Sequence, residues 1–251
     1  MLQGDMYDAL MNYPLAEAII SFAGARHIDA RVVGQHFELG SNIRPEDGPT
    51  FGARLEHILS VNDPAVTAVQ LNLLDSHDTP RLLTMCGGDV ASVRLATLIQ
   101  MTLPGAPSLY YGDEIGMAGE MDPFCRGAMR WDEATWDHDL LAAVTGAIAL
   151  RRAHPTLRHG TFTIVAAAGA ACAYRRSDDA ESFVVAINAG DAETGLALEL
   201  PELAGRSLVV EPWRGGPARD ARDAEGFVVG GDGRLVLTLP ARDALVLRTA
   251  G

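Results

Sequence analysis

Between residues 1 and 155, apolar positions follow two periods in turn, short extended runs alternating with stretches of helical spacing. Runs at 8–13, 68–74 and 107–111 are predicted strands, the second reading Ala68-Val69-Gln70-Leu71-Asn72-Leu73-Leu74 before the break at Pro80. Thr50 is placed to cap a helix in which Phe51, Leu55, Ile58 and Leu59 share a face. From 90 to 103 the chain is apolar except for Ser92, Arg94, Thr97, Gln100 and Thr102. Arg94, Thr97 and Gln100 recur every third residue, which predicts a mostly buried helix with one narrow polar stripe. A further helix is predicted over about 139–152, with Arg151 and Arg152 at its negative end and a stop at His154-Pro155. This first region reads as αβ. From about 157 the helical period is gone. Eight short β-like runs, 162–165, 171–175, 183–188, 196–200, 208–210, 227–229, 235–239 and 244–247, are separated by Gly, Asp and Pro, and their even spacing predicts an antiparallel β-sandwich over 156–251. The stretches Asp191-Ala192-Glu193 and 220–225 read as short polar loops.

Composition narrows the function classes. At 251 residues, 48% hydrophobic and 21% charged, the chain can bury a sizeable core. The net charge of −13, from 33 acidic and 20 basic residues, is repelled by nucleic-acid phosphates and anionic membranes, so neither is an expected partner; a neutral oligosaccharide is indifferent to it. Cys86, Cys125 and Cys172 are odd in number and widely spaced, giving no disulfide framework and no zinc pattern. Such thiols suit a reducing interior, and the opening residues lack the basic start and long apolar stretch of a secretory signal, so a cytoplasmic location is expected. The most apolar run, near 95–109, is broken by Gln100 and Pro104-Gly105, short of the ~20 residues that span a bilayer. Asp113 and Glu114 are adjacent carboxylates that point apart and lack the further ligands of a hard-cation shell. No metal or cofactor is expected.

Candidate chemistry lies in Leu73-Leu74-Asp75-Ser76-His77-Asp78-Thr79-Pro80-Arg81, where an apolar strand ends on a histidine beside a carboxylate. Taken alone, a His-Asp pair is more often a helix cap with an ordinary neighbour. The whole string, however, resembles the fourth signature region of the α-amylase family of glycoside hydrolases, closely its cyclomaltodextrinase and neopullulanase branch. Gly4-Asp5-Met6-Tyr7-Asp8-Ala9-Leu10-Met11-Asn12-Tyr13-Pro14 is similar to that family's segment through barrel strand six. Leu103-Pro104-Gly105-Ala106-Pro107-Ser108-Leu109-Tyr110-Tyr111-Gly112-Asp113-Glu114-Ile115-Gly116 is similar to strand eight and its loop. Asp122-Pro123-Phe124-Cys125-Arg126-Gly127-Ala128-Met129-Arg130-Trp131-Asp132 resembles the loop beyond, departing from it at Gly127 and Ala128.

The resemblance implies that 1–155 is the C-terminal part of a (β/α)8 TIM barrel, about strands six to eight, followed by the family's β-sandwich domain at 156–251. It implies that Asp78 stabilises the transition state and that His77, Asp122 and Arg126 bind sugar hydroxyls. Barrel enzymes carry such groups at the C-terminal strand ends. Arg81 is expected to brace a loop or pair with a carboxylate, and Trp131 and Trp136 to pack or to stack on sugar. The family's nucleophilic aspartate and acid/base glutamate belong to strands four and five, which would precede Met1. Retaining hydrolysis needs two such carboxyls about 5 Å apart, so this chain alone is expected to be inactive. None of Asp113, Glu114, Glu120 and Asp122 falls in a segment matching the missing motifs. The implied whole is a retaining α-glycosidase of α-glucans or maltodextrins, with the missing barrel half as a partner. The rival class is a non-catalytic carbohydrate-binding or interaction protein built on the same fold.

Overall fold

A computed structural model describes residues 6–213 and 226–250. The loop expected at 220–225 and the residues Gly4 and Asp5 of the opening segment lie outside the described residues. The first region holds helices α1 (Tyr13–Gly24), α2 (Ala30–Val33), α3 (Phe37–Asn42), α4 (Gly48–Ser60), α5 (Pro64–Thr67), α6 (Leu82–Met85), α7 (Val90–Thr102), α8 (His138–Ala153) and α9 (Pro155–His159), with two short parallel strands, β1 (Leu71–Asn72) and β2 (Ala106–Pro107), between them in the chain. Aspartates start most of the longer helices. Asp47, Asp89 and Asp137 each accept a backbone N–H of the first turn, from Thr50, Ser92 and Leu140 respectively, worth about 1 kcal/mol apiece. Thr50 is therefore inside the first turn of α4, and the cap is Asp47, whose carboxylate outcompetes a hydroxyl three residues on. Among the described residues no helix is long and apolar enough to cross a membrane.

The parallel strands are shorter than their apolar runs. Asp63 and Pro64 start α5, and its carbonyls take the N–H groups of Ala68, Val69 and Gln70, so these residues turn instead of joining a ladder. Pairing is confined to Leu71↔Ala106, Asn72↔Pro107 and a single parallel bridge, Met11↔Leu71. Beyond Ser108, left-handed Gly112 (φ 88°) turns the chain away, which ends the run expected at 107–111. The polar stripe of α7 faces inward: Gln100, fully buried, donates through Nε2 to the carbonyls of Asn72 and Ser108. Asn72 in turn donates to Pro104 O and accepts from Asn12 Nδ2, so the stripe ties the helix to both strands. Leu10, Met11, Val69 and Leu71 remain exposed beside this pairing.

Each of the eight runs predicted after residue 157 is a strand: β3 (Thr161–Ala168), β4 (Ala171–Ser177), β5 (Ser182–Asn188), β6 (Thr194–Glu199), β7 (Ser207–Val210), β8 (Phe227–Val228), β9 (Arg234–Leu239) and β10 (Asp243–Thr249). The larger sheet has the order β3-β4-β5-β10-β7-β8, and β6 pairs with β9 in a second sheet; all these pairings are antiparallel. Because side chains alternate across a strand, β4 and β5 serve two cores. Ala171, Ala173, Val184 and Ala186 face Leu196, Leu198, Leu235 and Leu237 of the second sheet. Cys172, Tyr174, Phe183, Val185 and Ile187 join the core of the helical region with Phe22, Phe51 and Leu55.

Two buried arginines fasten that second junction. Arg176 on β4 donates to the carbonyls of Thr102, Leu157, Gly160 and Thr161, and Arg151 on α8 to those of Met101, Leu103, Gly105 and Leu157. They satisfy the orphan carbonyls at the negative end of α7. Burial, then mutual repulsion, pulls Arg176 down to about 10.

Candidate active site

The site is built where the chain leaves the C-terminal ends of β1 and β2. After β1, Ser76 to Thr79 form a turn that closes on itself: Ser76 N donates to Thr79 Oγ1 at 2.9 Å and Asp78 N to Ser76 Oγ at 3.1 Å. Ser76 and Thr79 are buried, which leaves the intervening His77 and Asp78 standing out. The chain following β2 passes Gly112, Gly116 (φ 74°) and Gly119 into a 3-10 turn, Phe124–Arg126, reached through a cis Asp122-Pro123 bond. This second loop folds over the first. Cys125 Sγ and Arg126 Nε both donate to His77 O, at 3.4 and 3.1 Å.

All four nominated side chains meet there. His77 Nε2 lies 3.3 Å and Arg126 Nη2 3.6 Å from Asp78 Oδ1, while Arg126 Nε lies 3.0 Å from Asp122 Oδ1. One guanidinium thus stands between two carboxylates, with an imidazole against one of them. Each side chain is about half exposed, Asp78 at 53%. The group therefore presents acceptors and donors at hydroxyl-binding spacing, on a face still open to water.

Behind it lies a buried polar group of Arg81, Asp113 and Asp75, the last of which the sequence did not mark. Arg81, fully buried, donates to Tyr111 O at 2.6 Å, approaches Asp113 Oδ1 at 3.3 Å and lies over the rings of Tyr110 and Tyr111. Its backbone N–H reaches Gly119 O at 2.9 Å, so one residue braces both loops, as expected of Arg81. Asp75 accepts from Leu82 N at 2.7 Å and shares a hydrogen bond with Asp113. Burial foremost, and then the charge of Asp75, holds the Asp113 carboxyl well above the usual range. A charged residue in the apolar run Leu73-Leu74-Asp75 was the available signal. Glu114 turns the other way and accepts from Gly112 N; among the described residues no three such side chains gather as metal ligands. Trp136 is tied by Nε1 to Arg130 O, whereas Trp131 is 79% exposed. Cys86, Cys125 and Cys172 are free and buried.

Comparison with known proteins places these elements in context. The family model for the alpha amylase catalytic domain matches residues 4–160. A cyclomaltodextrinase of Geobacillus thermopakistaniensis (strain MAS1) is 40% identical over 189 residues, which cover 74% of this chain and 29% of that protein. Neopullulanase 2 of Thermoactinomyces vulgaris is 35% identical over 249 residues, 98% of this chain and 37% of that protein. The crystal structure of Ttha1563 from Thermus thermophilus superposes with a TM-score of 0.85 at 37% identity, covering 99% of this chain and 49% of that one. The chain thus spans about a third of the length of the curated relatives it matches.

Proposed function

The chain belongs to the α-amylase catalytic-domain family of glycoside hydrolases, and from that premise we propose that it supplies one side of the active site of a retaining α-glycosidase acting on α-glucans or maltodextrins. On this reading residues 1–155 are about strands six to eight of a (β/α)8 barrel, and 156–251 its β-sandwich companion, in a cytoplasmic protein. Asp78 stabilises the positive charge that develops on the sugar. His77, Asp122 and Arg126 hold its hydroxyls. The nucleophile and the acid/base come from barrel strands outside these 251 residues.

The observation that carries the reading is the convergence of His77, Asp78, Asp122 and Arg126, from two separate loops at the ends of two parallel strands, into one connected group. A carboxylate is most valuable to an oxocarbenium-like transition state in a dry, preorganised setting. The rest of a barrel, laid over the exposed residues Leu10, Met11, Val69 and Leu71, would enclose Asp78 and complete that setting.

The test is complementation. The chain is expressed alone and with the remaining barrel segment of neopullulanase 2 from Thermoactinomyces vulgaris, and reducing ends released from cyclodextrins and pullulan are measured. The chain alone should release none, and the pair should. In the active pair Asp78→Asn should lower kcat by about 10²- to 10³-fold, whereas Arg126→Ala should act mainly on KM. Turnover by the repurified chain alone, or a folded Asp78→Asn pair at near-parent rate, would overturn the assignment.

A further inference from the structure

The loop that carries Asp122 and Arg126 has its ends fixed by direct contacts. At its start Gly119 N donates to Thr84 Oγ1 at 2.8 Å and Gly119 O accepts from Arg81 N at 2.9 Å; at its end Gly127 O accepts from Tyr111 Oη at 2.8 Å. The segment just inside that start is held by a different device. Glu120 receives both ends of the Arg31 guanidinium, Nη2 to Oε1 at 2.7 Å and Nη1 to Oε2 at 3.1 Å, and Gln35 Nε2 adds a third bond at 2.5 Å. Gln35 reaches forward as well, its Oε1 accepting from Met121 N at 3.3 Å, one residue before Asp122.

The base of this device is rigid. Asp29 caps α2 by accepting from Arg31 N and Val32 N, its own N–H donates to Met85 O on α6, and Val32 and Val33 are buried beneath. Arg31 is therefore presented from a helix fixed to the same short helix that fixes Gly119. Two-pronged arginine contacts define direction as well as distance. The Arg31 and Gln35 bonds hold the Glu120 carboxyl down at about 2.

We propose that Arg31, Gln35 and Glu120 form a positioning clamp that sets the placement of Asp122 and Arg126 against His77 and Asp78. Its effect on turnover rests on the glycosidase reading above; its effect on the loop does not. None of the three touches the nominated sugar-binding atoms. They act through the backbone between Glu120 and Asp122, so loosening the clamp leaves the loop attached at both ends and to His77 O through Cys125 and Arg126, while Met121 and Asp122 lose their nearest support and the Arg126 contacts loosen with them.

Hydrogen exchange of the full chain, followed by mass spectrometry, tests the placement directly. Glu120→Ala and Arg31→Ala should each speed exchange of amides 121–127 by about tenfold while α7 is unchanged. The charge-swapped pair Arg31→Glu/Glu120→Arg should restore protection. Because the clamp is solvent-exposed, with Arg31 at 64%, 1 M NaCl, where the screening length is about 3 Å, should loosen the parent loop and leave Glu120→Ala unaffected. In the complemented enzyme Glu120→Ala should raise KM about fivefold or more with kcat within about twofold, the mark of lost substrate placement. Unchanged exchange at 121–127 in both single variants, acceleration shared equally by α7, or a loosened loop with KM unmoved in an active enzyme would each overturn the proposal. An inactive complemented parent would sink the glycosidase reading alone, and the exchange results would still decide the clamp.

Discussion

Replacing Arg81 by methionine and Asp113 by asparagine should have very unequal effects, although the two side chains approach to 3.3 Å. A simple ion pair would suffer about equally from losing either partner, each loss leaving a buried charge at about 3–5 kcal/mol. Here two carboxyls share one cation. Burial and the neighbouring Asp75 favour the protonated form of Asp113, which then donates to Asp75. Asp113→Asn keeps a donor in that place and should cost within about 1 kcal/mol at neutral pH. Arg81→Met removes the cation, the bond to Tyr111 O and the contact with two tyrosine rings, and should cost about 3–5 kcal/mol. The pH dependence has a definite sign. With its folded pKa raised, Asp113 binds a proton in the native state that the unfolded chain releases near pH 4, so its contribution is complete below about pH 4 and is lost as pH rises through the folded value, with a slope of at most about 1.4 kcal/mol per unit. An amide in that place does not titrate and escapes the loss, so Asp113→Asn should gain on the parent as pH rises from about 4 toward 7. Urea unfolding monitored by circular dichroism at several pH values reads both effects. A loss of about 3 kcal/mol or more in Asp113→Asn at neutral pH (about the cost of an orphaned buried charge), with a flat difference across the range, would show that Asp113 is an ordinary carboxylate and the reasoning is wrong.

Arg176→Met should cost about 2–4 kcal/mol in the same assay, since four carbonyls lose a charged donor while only part of the arginine's burial cost is recovered. Asp89→Ala should cost more than the about 1 kcal/mol of an ordinary cap, because Asp89 also pairs with the nearly buried Arg242. Gly105→Ala should disrupt the β1–β2 pairing, measurable as faster exchange of the Ala106 amide: φ is 116° and the new Cβ would clash with the Asn72 side-chain amide.

The β region was legible in the sequence because period-two alternation between turn residues leaves little choice; each predicted run contains a strand. The parallel strands were legible only as places. Their extent depends on which carbonyls capture the N–H groups of Ala68 to Gln70, a competition set by Asp63 and Pro64 that an apolar run does not reveal. The convergence of His77, Asp78, Asp122 and Arg126 came from the motif resemblance, since 44 to 49 residues separate the two pairs and no local pattern joins them. The Arg31 and Gln35 contacts to Glu120 were not legible at all. Surface polar residues 85 and 89 apart look like any solvated face until the chain is folded.

The six-stranded sheet has an implication for how this architecture can be taken apart by recombination. Strands β4 and β5 bury both of their faces, one under the second sheet and the other under helices, so neither side owns the sheet. A gene division at the composition change near residue 157 would strip Tyr174, Phe183, Val185 and Ile187 of their cover on one product and remove the floor beneath Phe51 and Leu55 on the other. An exchange of segments between relatives that keeps both cores covered is therefore expected to succeed upstream of α1 or within the loops at the strand ends, and to fail at that point.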